Sequence, residues 1–407
     1  MFQCTLLIIA IVFFIDIGLS ILNYKHRHAP IPENVADVYD QKDYAKWLNY
    51  TMEVFKLSIF RKLVDTGALL VFLLAGIFPK LAAFAAPYTD NRILQSLIFL
   101  GLYYVIAYLL NIGFSIYRTF SIEERYGFNK STVKLFVVDQ IKSLLLTAIL
   151  GGGLLYALLA LYQHFGNAAL LYGWLLITAI SLIINLLYTK VFIRLFNKLT
   201  PLTEGELYDG VNALAEKTGY AVKKISVMDA SKRSSRLNAF FSGFGRFKHI
   251  ILYDTLIEKC TTEEVLAVLA HEIGHAKHKD VLKNFLSSSV QLGVSLGILL
   301  IFLSSEAFAA AFGFSGVHYG FAMILFSILM EPVGMVAGIP LTALSRKAEY
   351  RADAFSATVG YNNAMVDALK VLARENFSNL TPHPWMVKMT YSHPPISDRI
   401  SALDKNA

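Results

Sequence analysis

The stretch Thr261-Thr262-Glu263-Glu264-Val265-Leu266-Ala267-Val268-Leu269-Ala270-His271-Glu272-Ile273-Gly274-His275 decides how this chain is read. Thr261 and Glu264 have the spacing of a capping box, and Glu263 with Glu264 puts negative charge in the first turn, so a helix is expected to start here. Val265, Leu266, Val268 and Leu269 then supply an apolar face that buries one side of it. His271 and His275 follow at i and i+4, on one face, where both rings can reach a single ion about 2.0–2.1 Å away. Glu272 is rotated off that line. It can take a proton from water whose pKa the ion has lowered from 15.7 toward roughly 7. This is the His-Glu-x-x-His arrangement of zinc hydrolases, and the reaction it points to is peptide-bond hydrolysis. The bland alternative, a surface helix with two solvated histidines, fits poorly with the apolar run that precedes them.

A third ligand must come from elsewhere. The His-x-x-Gly-x-x-His extension is absent, because His278 stands where its glycine belongs and Val281 where its third histidine belongs. The best candidate is Glu349 in Ala348-Glu349-Tyr350-Arg351-Ala352-Asp353, with Asp353 one helical turn later on the same face. Glu349 would complete a His₂Glu site for one Zn²⁺ with a position open for water, and Asp353 would accept the outer N–H of a ligand histidine. Without the histidine motif the same stretch would read as a charged surface helix with an Arg–Asp pair.

The chain has 407 residues, of which 55% are hydrophobic and 16% charged, and a mean hydropathy of +0.50. That is too apolar and too charge-poor for an ordinary soluble enzyme. Apolar runs long enough to cross hydrocarbon, about 17–25 residues each, occur at 2–22, 63–86, 93–117, 144–162, 168–192, 285–312 and 317–344. The first lacks a basic leader and a small-x-small cleavage site, and it is expected to stay attached. Lys80 and Arg92 alone lie between the second and third runs, and no Lys or Arg lies in 163–167 or 304–316. The remaining connections carry Lys25, Arg27, Lys42, Lys46, Lys56, Arg61, Lys62, Arg118, Arg125, Lys130 and Lys134, so they and the motif segment are expected in the cytoplasm. The net charge of +7 follows from this bias and implies some attraction to anionic membrane lipid. No arginine-rich patch is interleaved with stacking aromatics, so no nucleic-acid partner is expected. The two cysteines, Cys4 and Cys260, imply no disulfide framework.

The fold expected is mainly α: a polytopic, seven-helix membrane protein with a split, gluzincin-like α+β zinc metalloprotease domain on the cytoplasmic side. Residues 1–196 hold five transmembrane helices with cytoplasmic loops. Residues 197–284 hold the motif helix and a substrate edge strand, 285–344 form a transmembrane hairpin, and 345–407 hold the third ligand. Gly151-Gly152-Gly153 interrupts the fourth run and permits a bend or a close helix contact.

Other groups could handle a substrate. The run from Arg236 through Asn238, Ala239, Phe240, Phe241, Ser242 and Gly243 leads through glycines into His249-Ile250-Ile251-Leu252-Tyr253, a short hairpin whose edge could hold an extended peptide by main-chain bonds. Plain sheet scaffolding explains it equally well. Tyr391-Ser392-His393-Pro394-Pro395 precedes Arg399. His393 could stabilise an oxyanion, and Arg399 could pair with a substrate carboxylate or an internal acid; taken alone, both read as surface residues. Asp16, and Glu331 before Pro332, lie inside apolar runs and should face a wet interior or each other.

Together, the Asn-Ala-Phe-Phe-Ser-Gly-Phe-Gly run from Asn238, His271-Glu272-Ile273-Gly274-His275, Glu349 with Asp353, and Ser392-His393-Pro394-Pro395 with Arg399 resemble the integral-membrane zinc CAAX prenyl protease 1 family, and the resemblance covers nearly the whole chain. It implies helices enclosing a large water-filled chamber and removal of the last three residues of prenylated CAAX proteins. It implies that His271, His275 and Glu349 bind zinc and that Glu272 is the general base. It also implies that Asn238 with its neighbours Ala239 and Phe240 lines the substrate edge, while His393 and Arg399 contact the peptide or stabilise the transition state. Several motifs are also similar to those of heat-shock membrane metalloproteases, which need no prenyl group. A reading from another class is a non-catalytic, zinc-containing transporter or scaffold. The chain is short for a eukaryotic enzyme of this type and shows no ER-retrieval ending, so a bacterial inner membrane is expected, or the ER membrane in a eukaryote.

Overall fold

The computed structural model describes residues 1–220, 224–242 and 249–405. Among them, five helices are long and apolar enough to cross a membrane: Phe2–His26, Arg92–Glu123, Val133–Phe196, Asp280–Ser304 and Tyr319–Thr358. Gln41–Leu74 and Ile77–Tyr88 form a further crossing bent by 71°. The bend falls at Gly76, whose φ of +60° costs a residue without a Cβ little. Val133–Phe196 divides in turn at Gly166, with φ 54° and ψ −128°. Its arms fold together so closely that a Cβ on Gly173 would lie 3.2 Å from Leu158. With that division the crossings correspond to the seven apolar runs of the sequence.

Helix ends do not coincide with the ends of apolar runs. Gln41–Leu74 begins well before residue 63, capped by the Asp40 carboxylate, which accepts from Asp43 N at 2.6 Å. Tyr319–Thr358 contains Pro332 and Pro340 and continues past residue 344, carrying Glu349 and Asp353 out of the apolar segment on an unbroken helix. Hydropathy ends where lipid ends, whereas a helix ends where its backbone loses partners. Near the triple glycine the backbone widens into a π-type turn at Thr147–Gly151, and a Cβ on Gly152 or Gly153 would meet nothing within 4 Å. The glycines therefore accompany a local widening of the helix and not a close helix contact. Asp16 pairs with Lys62 at 3.1 Å, and Glu331 is exposed.

Outside the spans, a four-stranded sheet is ordered β1 (Leu199–Pro201), β2 (Ile225–Met228), β4 (His249–Tyr253), β3 (Ala239–Ser242). β2 and β4 are parallel, and the other pairs are antiparallel. Ile250, Ile251 and Leu252 are all buried, as an interior strand covered on both faces requires. β3 is the outer strand and pairs antiparallel with β4 as a hairpin; the glycine-bearing connection expected at 243–248 lies outside the described residues.

Thr262–Lys277 packs between this sheet and the long helix Tyr319–Thr358. Its start is the capping box the spacing predicts: Thr261 N donates to Glu264 Oε2 at 2.7 Å and Glu264 N to Thr261 Oγ1 at 3.3 Å. Val265, Leu266, Val268 and Leu269 are buried as expected, and so are Ala267, Ala270, Ile273 and Gly274. A helix covered on nearly every side belongs to a core, so its histidines sit in an interior and not on a wet surface.

Candidate metal centre and substrate edge

The motif helix and the long helix cross closely enough to bring three ligand atoms together. His271 Nε2 and His275 Nε2 are 3.1 Å apart, and Glu349 reaches them with Oε2 at 3.6 Å and Oε1 at 3.3 Å respectively. One donor atom from each of the three lies within 4.8 Å of the others, close enough to share one metal ion. Both histidines turn Nε2 inward because Nδ1 is held from behind. His271 Nδ1 lies 2.8 Å from Asp353 Oδ1, and His275 Nδ1 lies 3.0 Å from Asp280 Oδ2. A carboxylate behind each ring fixes its orientation and raises its basicity as a ligand.

Two observations test whether these residues suit a cation. Glu349 Oε2 is buried and has no hydrogen-bond partner, a costly state that a bound metal ion would relieve. Burial should lower the His275 pKa, yet the Glu349 and Asp280 carboxylates outweigh it and raise the value to about 9. These carboxylates favour positive charge where an ion would sit. The residues fit the group.

Around this centre the remaining candidates fall into place. Glu272 is half-buried and near enough to act electrostatically on His275 and Arg399. His393 is exposed, with Nε2 3.4 Å from Glu349 Oε1 and Nδ1 3.0 Å from Ser392 Oγ. Asn238 is exposed, Ala239 buried and Phe240 half-buried, at and just before β3, whose outer edge pairs with no strand among the described residues.

Residues 201–407 match the family model described as peptidase family M48, and residues 20–198 match the one described as CAAX prenyl protease N-terminal, five membrane helices. The chain is 32% identical to a CAAX prenyl protease 1 homolog of Oryza sativa subsp. japonica over 99% of this chain and 97% of the relative. It is 32% identical to CAAX prenyl protease 1 of Saccharomyces cerevisiae, over 93% of this chain and 90% of that one. The crystal structure of S. mikatae Ste24p superposes with a TM-score of 0.93 at 31% identity, covering 98% of this chain and 99% of that chain.

The chain belongs to peptidase family M48, in its CAAX prenyl protease 1 branch.

This M48 member is thus a multi-pass membrane metalloendopeptidase, and several of its site contacts were not anticipated from the sequence. Arg399 is 7% exposed and grips Asp353 with two bonds, Nε to Oδ2 at 2.8 Å and NH2 to Oδ1 at 2.6 Å. Of the two partners open to it, the internal acid is the one it contacts. Its NH1 also approaches Glu349 Oε2 at 3.6 Å. Asp280, missed in the sequence, is held in turn by Arg351 at 2.9 Å. Arg346, also missed, donates to the carbonyls of Val387 and Tyr391 at 3.0 and 2.6 Å and so fixes the segment leading to His393. In this peptidase Asn376 clamps the residue before Asn238, accepting from Leu237 N at 2.9 Å and donating to Leu237 O at 3.1 Å. Burial pushes the Cys260 thiol up to about 12, and among the described residues Cys260 lies outside the group formed by His271, His275 and Glu349.

Proposed function

We propose that this protein is a zinc endopeptidase that removes the C-terminal tripeptide of prenylated CAAX proteins, with its site on the cytoplasmic side of a bacterial inner membrane or, in a eukaryote, the ER membrane. The observation that carries the reading is the convergence of His271, His275 and Glu349 around a buried carboxylate oxygen that accepts no hydrogen bond. Two imidazoles and one carboxylate are the protein donor set of catalytic zinc. The names of the relatives support the substrate class, and the bias of Lys and Arg toward one side supports the orientation.

Bound there, zinc would act as a Lewis acid toward water and the scissile carbonyl. The chain's own groups do the rest. The free edge of β3, from Asn238 through Ala239 and Phe240, would hold an extended peptide by main-chain hydrogen bonds and set the position of the carbonyl. Glu272 would accept a proton from the attacking water and return it to the leaving amine. His393, whose Nδ1 can accept from Ser392, would donate from Nε2 to the oxygen that gains charge. Arg399 would act through Asp353, holding the His271 tautomer and adding positive charge beside Glu349.

A synthetic farnesylated CAAX peptide and its unprenylated twin test this reading directly. Faster cleavage of the farnesylated peptide is expected; equal rates would remove the prenyl claim and favour quality-control proteolysis by the same chemistry. Glu272→Ala should keep its metal and lose about 10²–10⁴-fold in kcat. Full activity in that variant would sink the general-base assignment.

A further inference from the structure

The substrate class proposed above ends in a free carboxylate, and Arg399 is not available to bind it. That guanidinium is 7% exposed and already committed to Asp353 through two bonds. A different cation is required. A groove of about 580 Å³ opens between Asp280–Ser304 and Tyr319–Thr358, beside the metal centre. One end is Asp280, which holds His275 Nδ1, together with Ser392, which adjoins His393. The groove therefore starts where the scissile bond would lie.

Its lining sets an apolar side, Leu341, Leu344 and Ala348, against a polar wall that suits a peptide tail. Asn284, Ser287, Ser288 and Gln291 form an exposed polar stripe along a helix otherwise apolar enough to cross a membrane. Such a stripe must face water or a polar ligand, not lipid. Lys283, Lys347 and Arg351 supply three cations, against one acid among the described lining residues, Asp280. That acid is already balanced by Arg351 at 2.9 Å and by His275. Lys283, with its side chain 58% exposed and 3.7 Å from Asp280, and the exposed Lys347 are left with unmatched positive charge.

We propose that this groove receives the leaving end of the substrate and that Lys283 and Lys347 bind its terminal carboxylate. The proposal rests on the CAAX reading, because only a cut close to the chain end puts a carboxylate within reach of the site. It makes Lys283 and Lys347 specificity residues that select short leaving groups with a free terminus.

The test compares two farnesylated peptides of identical sequence, one ending in a carboxylate and the other in a carboxamide, on the full-length enzyme in phosphatidylcholine nanodiscs. The wild type should favour the acid by at least about tenfold in kcat/KM, chiefly through KM, since a charge-assisted bond is lost with the amide. In Lys283→Gln/Lys347→Gln the ratio should fall toward one while metal content stays that of the wild type. If the double variant does not fold, the two single variants carry the same test, each with a partial fall. A wild-type ratio near one overturns the proposal, as does a high ratio that the lysine variants leave intact. A ratio near one, combined with rates on both peptides that rise equally with phosphatidylserine, would assign the groove to lipid headgroups. The acid-to-amide ratio can be read on any peptide that is cut, so equal cleavage of prenylated and unprenylated twins would sink the CAAX reading separately. No cleavage at all would overturn both.

Discussion

A Cβ added to Gly274 would stand 3.0 Å from Cα of Ala352, and 3.1 Å from Cβ of Phe355. The helix bearing both histidines and the helix bearing Glu349 thus touch backbone to backbone, next to His275. Only glycine permits that approach. Gly274→Ala must move one helix off the other, at a cost of about 1–3 kcal/mol, and the displacement falls directly on the separation of His275 from Glu349. Lower Tm together with reduced metal content in the purified variant is the expected result; full metal occupancy would show that the centre tolerates a wider crossing.

The two carboxylates behind the histidines should behave differently. Asp353→Asn leaves the buried Arg399 without its close ion-pair partner and with only the 3.6 Å approach to Glu349, so it should cost about 3–5 kcal/mol of stability as well as weakening metal binding. Asp280→Asn frees Arg351, whose side chain is 45% exposed and can be solvated. It should therefore lower metal affinity by about 10–100-fold with little change in Tm. Competition against a chelator, run beside thermal unfolding, separates the two. Equal Tm losses would contradict the assignment.

Asn376 ties the entry of the edge strand to a segment far along the chain, using both atoms of its amide. Nearby, Arg236 donates to the Asn376 carbonyl at 2.7 Å and to Tyr50 Oη at 2.7 Å. Asn376→Ala should cost about 1–3 kcal/mol for the Leu237 groups left unpaired. With β3 holding the peptide as proposed, KM should rise more than kcat falls. Steady-state kinetics decides it, and a pure kcat effect would argue against strand positioning.

Acid sensitivity should trace in part to His249. Burial, with Lys224 and Arg194 nearby, lowers its pKa from 6.5 to about 4, and its Nε2 lies 2.8 Å from Ser226 Oγ. As pH falls, the unfolded chain takes the proton before the folded one does. The stabilisation from neutral His249 is intact above pH 6.5 and drains away toward pH 4. His249→Gln should flatten the fall of Tm across that interval. Parallel curves for variant and wild type would place the sensitivity elsewhere.

The core of the site was legible in the sequence because it is written in short-range spacing. The capping box, the i and i+4 histidines, and Asp353 one turn after Glu349 all follow from helix periodicity, and the apolar runs follow from the thickness of a bilayer. What was missed depends on where the chain turns. Asp280 meets His275 because Lys279, at φ 57°, turns the chain between two helices, and no pattern in the sequence announces that angle. The internal acid open to Arg399 could not be named as Asp353, and the Asn376 clamp could not be foreseen, because both join residues far apart in sequence. Gly274 carries no signal in a helix beyond a weaker propensity, although the close crossing depends on its missing side chain. The continuation of Tyr319–Thr358 past its apolar run was hidden because hydropathy reports lipid contact and not helicity.

Metal analysis of purified wild-type, Glu272→Ala and Glu349→Ala protein, prepared side by side in detergent, tests the central claim most directly. One zinc per chain is expected in the first two and a large loss in the third. Undiminished zinc in Glu349→Ala, with that variant still folded, would contradict a centre built from His271, His275 and Glu349.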